Sequence, residues 1–286
     1  MYVAIATIGY SFATIFIKLG INSGLDGLYI SGTAFLLATI IFWFIVFIRK
    51  RKLHFSLLYL NICAFANIVI YYFQTKALET LSVSLFIIIY FTYPIFVLVF
   101  SSLIYKQKTS KNKLFALIFS ICGLILSIGL LQECSVKIST FGVIFSLLAS
   151  FANSCFFISL QKLLKDDDAI TSQAYIFSIT TIFLIATCTV SGHWTINLSL
   201  IQLLYILLLS IVSLLLSAAF MAKGINTVGA STASIVNIFQ PIITLTAARL
   251  LFGDSMTVLQ MLGGVLIFIG LIIMILDKKD YVANEI

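Results

Sequence analysis

The sequence predicts an all-α membrane protein with ten transmembrane helices in two inverted five-helix repeats. Three observations predict it. The composition is too apolar for a soluble domain. Charged residues and turn formers cut the chain into ten span-length pieces. The second half repeats the first at a fixed offset.

Of the 286 residues, 62% are apolar and 9% charged, against roughly 25% charged and about 45–50% apolar in soluble domains. Mean hydropathy is +1.17. A soluble fold of this length has too little polar surface to cover such a core. The composition excludes a soluble enzyme, a disordered chain and a disulfide scaffold. The net charge of +7 reads as basic residues held on the cytoplasmic side, not as nucleic-acid binding. Of the five cysteines, Cys63, Cys122, Cys155 and Cys188 fall in apolar segments and Cys134 does not. A thiol in such a segment acts as a small hydrophobe. No C-x-x-C spacing suggests a metal or a redox pair. The first apolar run has no basic residue before it and no small-residue cleavage site, so it is expected to stay as a span.

A spanning helix needs roughly 20 mostly apolar residues. The ten pieces run approximately 3–20, 27–48, 57–77, 81–104, 112–130, 139–161, 170–190, 199–222, 229–252 and 257–276. They are too long for barrel strands and lack strand alternation. With the N-terminus inside, the cytoplasmic connections receive 13 of the 17 basic residues, from the Arg49–Lys52 run to Lys278 and Lys279. The outer side receives Lys18, Lys76, Lys137 and Arg249. The positive-inside bias therefore places both termini in the cytoplasm. Of the acidic run at 166–168, Asp168 is expected to cap the seventh helix.

Shifting the chain by 147 residues superposes Lys76 on Lys223, Thr80 on Thr227, Ser84 on Ser231, Pro94 on Pro241 and Gly123 on Gly270. Only two prolines exist, and the shift matches them. The repeats are expected at 1–130 and 139–276, with 277–286 as a short cytoplasmic tail. Five spans per copy is an odd number, so the second copy enters the membrane from the opposite side. Such inverted repeats serve secondary transporters, with solute sites near the midplane.

The first repeat reads Ala77-Leu78-Glu79-Thr80-Leu81-Ser82-Val83-Ser84, then Tyr93-Pro94-Ile95-Phe96, then the Gly123 helix. The second reads Gly224-Ile225-Asn226-Thr227-Val228-Gly229-Ala230-Ser231, Gln240-Pro241-Ile242, Leu251-Phe252-Gly253-Asp254, then Gly263-Gly264 through Gly270. These stretches resemble the EamA-type domain, the ten-helix branch of the drug/metabolite transporter superfamily. The likeness implies a carrier of small metabolites with inside termini. The chain departs from the family pattern at Tyr105-Lys106-Gln107-Lys108, where members often carry an acid. It also departs at Ser31–Phe35, where they often carry an arginine.

A carrier needs polar groups converging at mid-depth. Helix 4 offers Tyr90, Tyr93 and Pro94, and helix 9 offers Asn237, Gln240 and Pro241 at the matching positions. Each proline removes a backbone donor and bends its helix, which is expected to free a carbonyl near Tyr90 or Asn237. Helix 3 adds Asn67, Tyr71 and Gln74. Helix 1 adds Thr7, Ser11, Thr14 and Lys18, helix 6 Asn153, and helix 8 Ser210, Ser213 and Ser217. Amides facing lipid would be left unsatisfied, so these stripes should face inward. The solute-binding candidates are Ser11, Asn67, Tyr71, Tyr90, Tyr93, Asn153, Ser213, Asn237 and Gln240. Ser and Asn also join helices without touching solute. Pro94 and Pro241 are candidate hinges. Lys76, Glu79 and Lys223 are candidate mouth or gate residues, with snorkelling to headgroups as the plainer role for the lysines.

No charged residue or histidine lies near the centre of any expected span. Proton-coupled carriers usually hold one there. The expectation is facilitated diffusion, exchange or export of a neutral or zwitterionic, partly apolar solute. A multidrug or lipid-like exporter and a non-transporting scaffold are the alternatives. No enzyme motif, nucleotide-binding loop, cofactor site or metal site is read. The expected partners are a small solute and the bilayer. Gly123, Gly263 and Gly270 mark close helix packing, within the fold or in a homodimer. Short loops suit a bacterial inner membrane.

Overall fold

A backbone N–H or C=O finds no water in hydrocarbon, so a spanning segment must satisfy its own polar groups as a helix. The computed structural model describes residues 1–50, 57–81, 83–105, 111–127, 139–165, 167–192 and 197–252, with isolated positions between 258 and 273. Every regular element among them is helical. The first four are α1 (Tyr2–Ser11), α2 (Ala13–Asn22), α3 (Gly27–Ile48) and α4 (Leu57–Thr80). Next come α5 (Val83–Tyr90), α6 (Tyr93–Tyr105), α7 (Lys111–Ser127), α8 (Thr140–Leu163) and α9 (Ala169–Val190). Then α10 (Leu200–Leu208) widens into a π-helical stretch, Leu209–Leu216, and continues as α11 (Ser217–Val236). A 3-10 turn, Asn237–Phe239, leads into α12 (Gln240–Phe252). Most of the expected tenth span, with His54, His193, Glu133, Cys134 and Asp254, lies outside the described residues.

Six helical runs among the described residues are long and apolar enough to cross a membrane: Tyr2–Asn22, Gly27–Ile48, Leu57–Thr80, Thr140–Leu163, Ala169–Val190 and Leu200–Leu251. The last covers the two spans expected at 199–222 and 229–252. They are separated by Gly229, whose φ of 80° and ψ of 161° interrupt the helix. Side chains reached before the hydrocarbon satisfy the exposed helix starts. Asp26 accepts from the N–H groups of Leu28 and Tyr29, and Asp168 accepts from those of Ile170 and Thr171, as the sequence implied. Ser199 and Gln202 form a reciprocal capping box on α10.

Helix α4 packs along α8, α3 along α9, and α1 along α11. Each of these pairs is antiparallel. Val3 faces Gly224 while Gly9 faces Ser217. Thr39 bonds Thr181 at 3.0 Å and Trp43 bonds Ser178 at 2.8 Å. Lys162 lies over the Tyr59 ring at 4.9 Å, and Phe73 stacks on Phe145. By contrast α4 and α9 run parallel, because Tyr175 bonds Asn61 and Asn67 bonds Thr180. Where lipid tails are as apolar as the side chains, small residues and such hydroxyl pairs hold helices together.

Gly9 shows how close the approach becomes. A Cβ there would collide with Ser217 Oγ and lie 2.9 Å from the Val212 carbonyl. That carbonyl accepts the Ser217 hydroxyl five residues on, at 2.9 Å. The wide turn and the missing side chain together let α1 reach the backbone of the Leu209–Leu216 stretch.

Candidate functional site

Helices α6 and α12 set the site. Each starts one residue before a proline and each has 13 residues. The offset of 147 carries Tyr93 onto Gln240 and Tyr105 onto Phe252. The chain turns at Phe91-Thr92 before α6 and through Asn237–Phe239 before α12. Proline tolerates an early helical position because its missing N–H would have no partner there.

Freed carbonyls were expected beside the prolines. The structure corrects this at Asn237, whose carbonyl accepts the Gln240 N–H within the 3-10 turn. Available carbonyls occur instead where α1 passes into α2 at Phe12. There Tyr10 O accepts from Gln240 Nε2 at 3.2 Å, and Ser11 O accepts from the Thr244 hydroxyl at 2.8 Å. The bend that mattered is opposite the proline, in a helix with none.

A cavity of about 50 Å³ lies beside the start of α12. It is lined by Tyr10, Ala13 and Thr14 from α1 and α2, and by Asn67, Ile70, Tyr71 and Gln74 from α4. Tyr90, Asn153, Phe156, Phe157, Gln173, Phe177, Met221, Asn237 and Gln240 complete it. None of these described residues is charged. At about 10–15 Å³ per water, it holds roughly three to five waters.

Six of the nine candidate binding residues line the cavity: Asn67, Tyr71, Tyr90, Asn153, Asn237 and Gln240. Ser11, Tyr93 and Ser213 do not. Ser11 donates back to the Thr7 carbonyl at 2.7 Å. Tyr93 is fully buried; its hydroxyl accepts from Asn237 Nδ2 at 2.9 Å and donates to the Ser234 carbonyl at 3.3 Å. Ser213 is buried in the π-helical stretch, and its Oγ, like that of Ser210, has no partner. Of the candidate hinges, Pro94 and Pro241 are both buried at the helix starts. Of the mouth residues, Lys76 pairs with Glu79 at 2.9 Å. Lys223 is exposed and sits 4.3 Å from the centre of the Tyr2 ring. None of the three lines the cavity.

The lining amides differ in how they are held. Asn67 Nδ2 donates to Thr180 Oγ1 at 3.0 Å. Gln74 Nε2 lies 3.4 Å from Thr14 Oγ1. The Thr7 hydroxyl is 2.9 Å from Asn237 Oδ1 and 2.8 Å from the Val3 carbonyl, so its single proton serves one at a time. Gln173 differs from these, because its buried Oε1 has no partner. An unpartnered buried acceptor costs about 1–3 kcal/mol. The sequence reading missed Gln173 and Tyr10. Gln173 is the fifth residue of α9, close to a capped end where a polar side chain looks like headgroup decoration. Tyr10 lies three residues after Thr7 and four before Thr14, on the face of the polar stripe already read in helix 1, and that spacing could have found it.

No curated protein matches the chain. A solved structure titled only "Crystal structure of protein" superposes on 95% of this chain and 98% of its own, with a TM-score of 0.78. Sequence identity is 11%, so the likeness shows a shared fold. The family model described as the EamA-like transporter family matches residues 1–129 and again residues 140–276. With that double match and its apolar helices, the chain is a multi-pass integral membrane protein and belongs to the EamA-like transporter family.

Proposed function

We propose that this protein is a secondary transporter that carries a small neutral or zwitterionic metabolite by alternating access. The observation that carries the proposal is the cavity beside the start of α12, walled by aromatic rings and amides and free of charge among its described residues. A solute entering it exchanges water for hydroxyl and amide partners. A strongly charged solute would meet no counter-charge there, at a large desolvation cost.

The proposed scaffold is ten spans in two inverted copies, at 1–130 and 139–276, with both termini on the cytoplasmic side of a bacterial inner membrane. Two features support the inverted arrangement. Helices α6 and α12 match in length and register at the 147 offset. Exchanging the halves also turns the antiparallel α4–α8 pair into α11–α1 and returns α3–α9 to itself, as a two-fold axis in the membrane plane requires. A cavity of about 50 Å³ suits a shut state. Carriage then requires the halves to separate on one face while remaining packed on the other.

The purified protein in proteoliposomes should take up a labelled solute down its gradient and accelerate counterflow when the lumen is preloaded. Single-cysteine labelling from each side of the membrane tests the topology. Termini on opposite faces would sink the inverted scheme. A folded protein that moves none of a panel of amino acids, nucleosides and lipids would sink the carrier.

A further inference from the structure

Gln173 is 1% exposed and lines the cavity, yet its Oε1 is without a hydrogen-bond partner. On α9 it shares a face with Phe177 and Thr180, four and seven residues on. Two other amides of the lining have partners: Asn67 donates to Thr180 at 3.0 Å, and Gln74 Nε2 lies 3.4 Å from Thr14 Oγ1. The rings of Phe157 and Phe177 beside the cavity offer no donor to an amide oxygen. A leucine would occupy similar space without stranding a polar atom, so the amide calls for a partner that enters from outside.

We propose that Gln173 determines solute specificity, its Oε1 accepting a hydrogen bond from an N–H of the solute. This rests on the carrier reading above and narrows it to amine- or amide-bearing solutes without net charge. An α-amino acid with an apolar side chain fits. Its ammonium donates to Gln173, its carboxylate supplies the counter-charge that the cavity lacks and accepts from tyrosine hydroxyls, and its side chain meets the aromatic wall. A solute whose nitrogen carries no hydrogen leaves the Gln173 oxygen buried and unpaired, which is how a polar site rejects an analogue lacking the matching group.

The test compares wild type, Gln173→Leu and Gln173→Glu in proteoliposomes. The probes are L-leucine, N,N,N-trimethyl-L-leucine, which keeps the charges and loses every N–H, 4-methylpentanamide, which keeps a neutral N–H, and the cation 3-methylbutylamine. Wild type should take up leucine and the amide at least about tenfold faster than the trimethylated analogue. Gln173→Leu should lose at least about tenfold in leucine uptake and most of that discrimination, while the empty variant melts no lower than wild type in detergent. Gln173→Glu should shift preference toward the cationic amine. Unchanged discrimination in Gln173→Leu overturns the inference, and so does a large fall in its melting temperature, which would mean the amide has a structural partner. Wild-type uptake of glycerol or a labelled phosphatidylcholine, neither of which carries an N–H, with none of the N–H probes, overturns the inference and leaves the carrier standing. A folded wild type that moves none of these probes overturns both.

Discussion

Asn237 Nδ2 donates to the Tyr93 hydroxyl across 2.9 Å, and these residues belong to the two segments that the 147-residue offset superposes. The turn before α12 is therefore tied to the start of α6 by a buried bond, with the Tyr93 hydroxyl passing its own proton to the Ser234 carbonyl. Tyr93→Phe removes both bonds and strands the Asn237 amide. The expected loss is about 1–3 kcal/mol, the penalty for a buried donor left unpaired, read as a lower melting temperature in detergent. A double-mutant cycle with Asn237→Leu should give a coupling of roughly 0.6–1.7 kcal/mol, the range found for interhelical bonds in a membrane. Zero coupling would mean that the bond contributes nothing to stability.

Two helical glycines should respond in opposite ways. A Cβ at Gly9 would strike Ser217 Oγ and the Val212 backbone, and backbone cannot move aside as a side chain can. Gly9→Ala should therefore destabilise by about 1–3 kcal/mol, the usual cost of overpacking. Adding Ser217→Ala should recover only part of it, because the carbonyl remains. A Cβ at Gly32 would meet Ile185 and Leu184 at 3.5 Å, an ordinary contact. Gly32→Ala should then be neutral, or stabilising by about 0.5–1 kcal/mol from helix propensity. Equal effects at the two sites would contradict the packing described for α1.

Much of this architecture was legible because each signal has one cause. Hydrocarbon demands long apolar helices, so the spans expected at 3–20, 27–48, 57–77, 139–161 and 170–190 reappear at span length, whereas 81–104 divides at Phe91-Thr92 into α5 and α6. The proline pair reads as bends inside the 81–104 and 229–252 spans, and the structure starts α6 and α12 there instead, because proline is tolerated where its missing N–H needs no partner. What stayed hidden depends on neighbours. Phe12 carries no breaking signal, yet α1 yields to α2 there and its carbonyls turn to Gln240 and Thr244. Tyr93 shared a stripe with Tyr90, but depth in the bundle put Tyr90 on the cavity and Tyr93 behind it. Ser213 was read as facing inward and does so, but into protein. Periodicity assigns a face, and only packing decides whether that face meets a cavity or another helix.

The break at Gly229 offers a third measurement. Its φ of 80° and ψ of 161° lie in a region that essentially only glycine occupies, at a cost of about 1–3 kcal/mol for other residues. The next residue's N–H is held by Gln161 Oε1 at 2.8 Å, so α8 secures the start of the helical segment that follows. Gly229→Ala should lower stability by that amount. Gln161→Leu should cost about 1–3 kcal/mol by orphaning the Ala230 N–H, and Gln161→Glu, which keeps the acceptor, should cost less. If Gln161→Leu melts like wild type, the contact carries no weight.

The charge-free lining makes a prediction about energy coupling. No carboxylate, histidine, lysine or arginine is among the described residues around the cavity. Uptake of a zwitterion whose own charge is fixed between about pH 6 and 8 should vary less than about twofold across that range. The Lys76–Glu79 pair is partly exposed and lies off the cavity, where an ion pair adds about 0–1 kcal/mol at most. Glu79→Gln should therefore leave both uptake down a solute gradient and counterflow largely intact, as should the amide at Asp254. Dissipating a pH gradient with an ionophore should not change the steady-state accumulation. A proton-coupled carrier would behave otherwise in each respect: its rate would follow pH, the ionophore would collapse accumulation, and one carboxylate would be indispensable to coupling while exchange persisted. Loss of accumulation with retained exchange in Glu79→Gln would identify that carboxylate as the coupling group and refute an uncoupled mechanism.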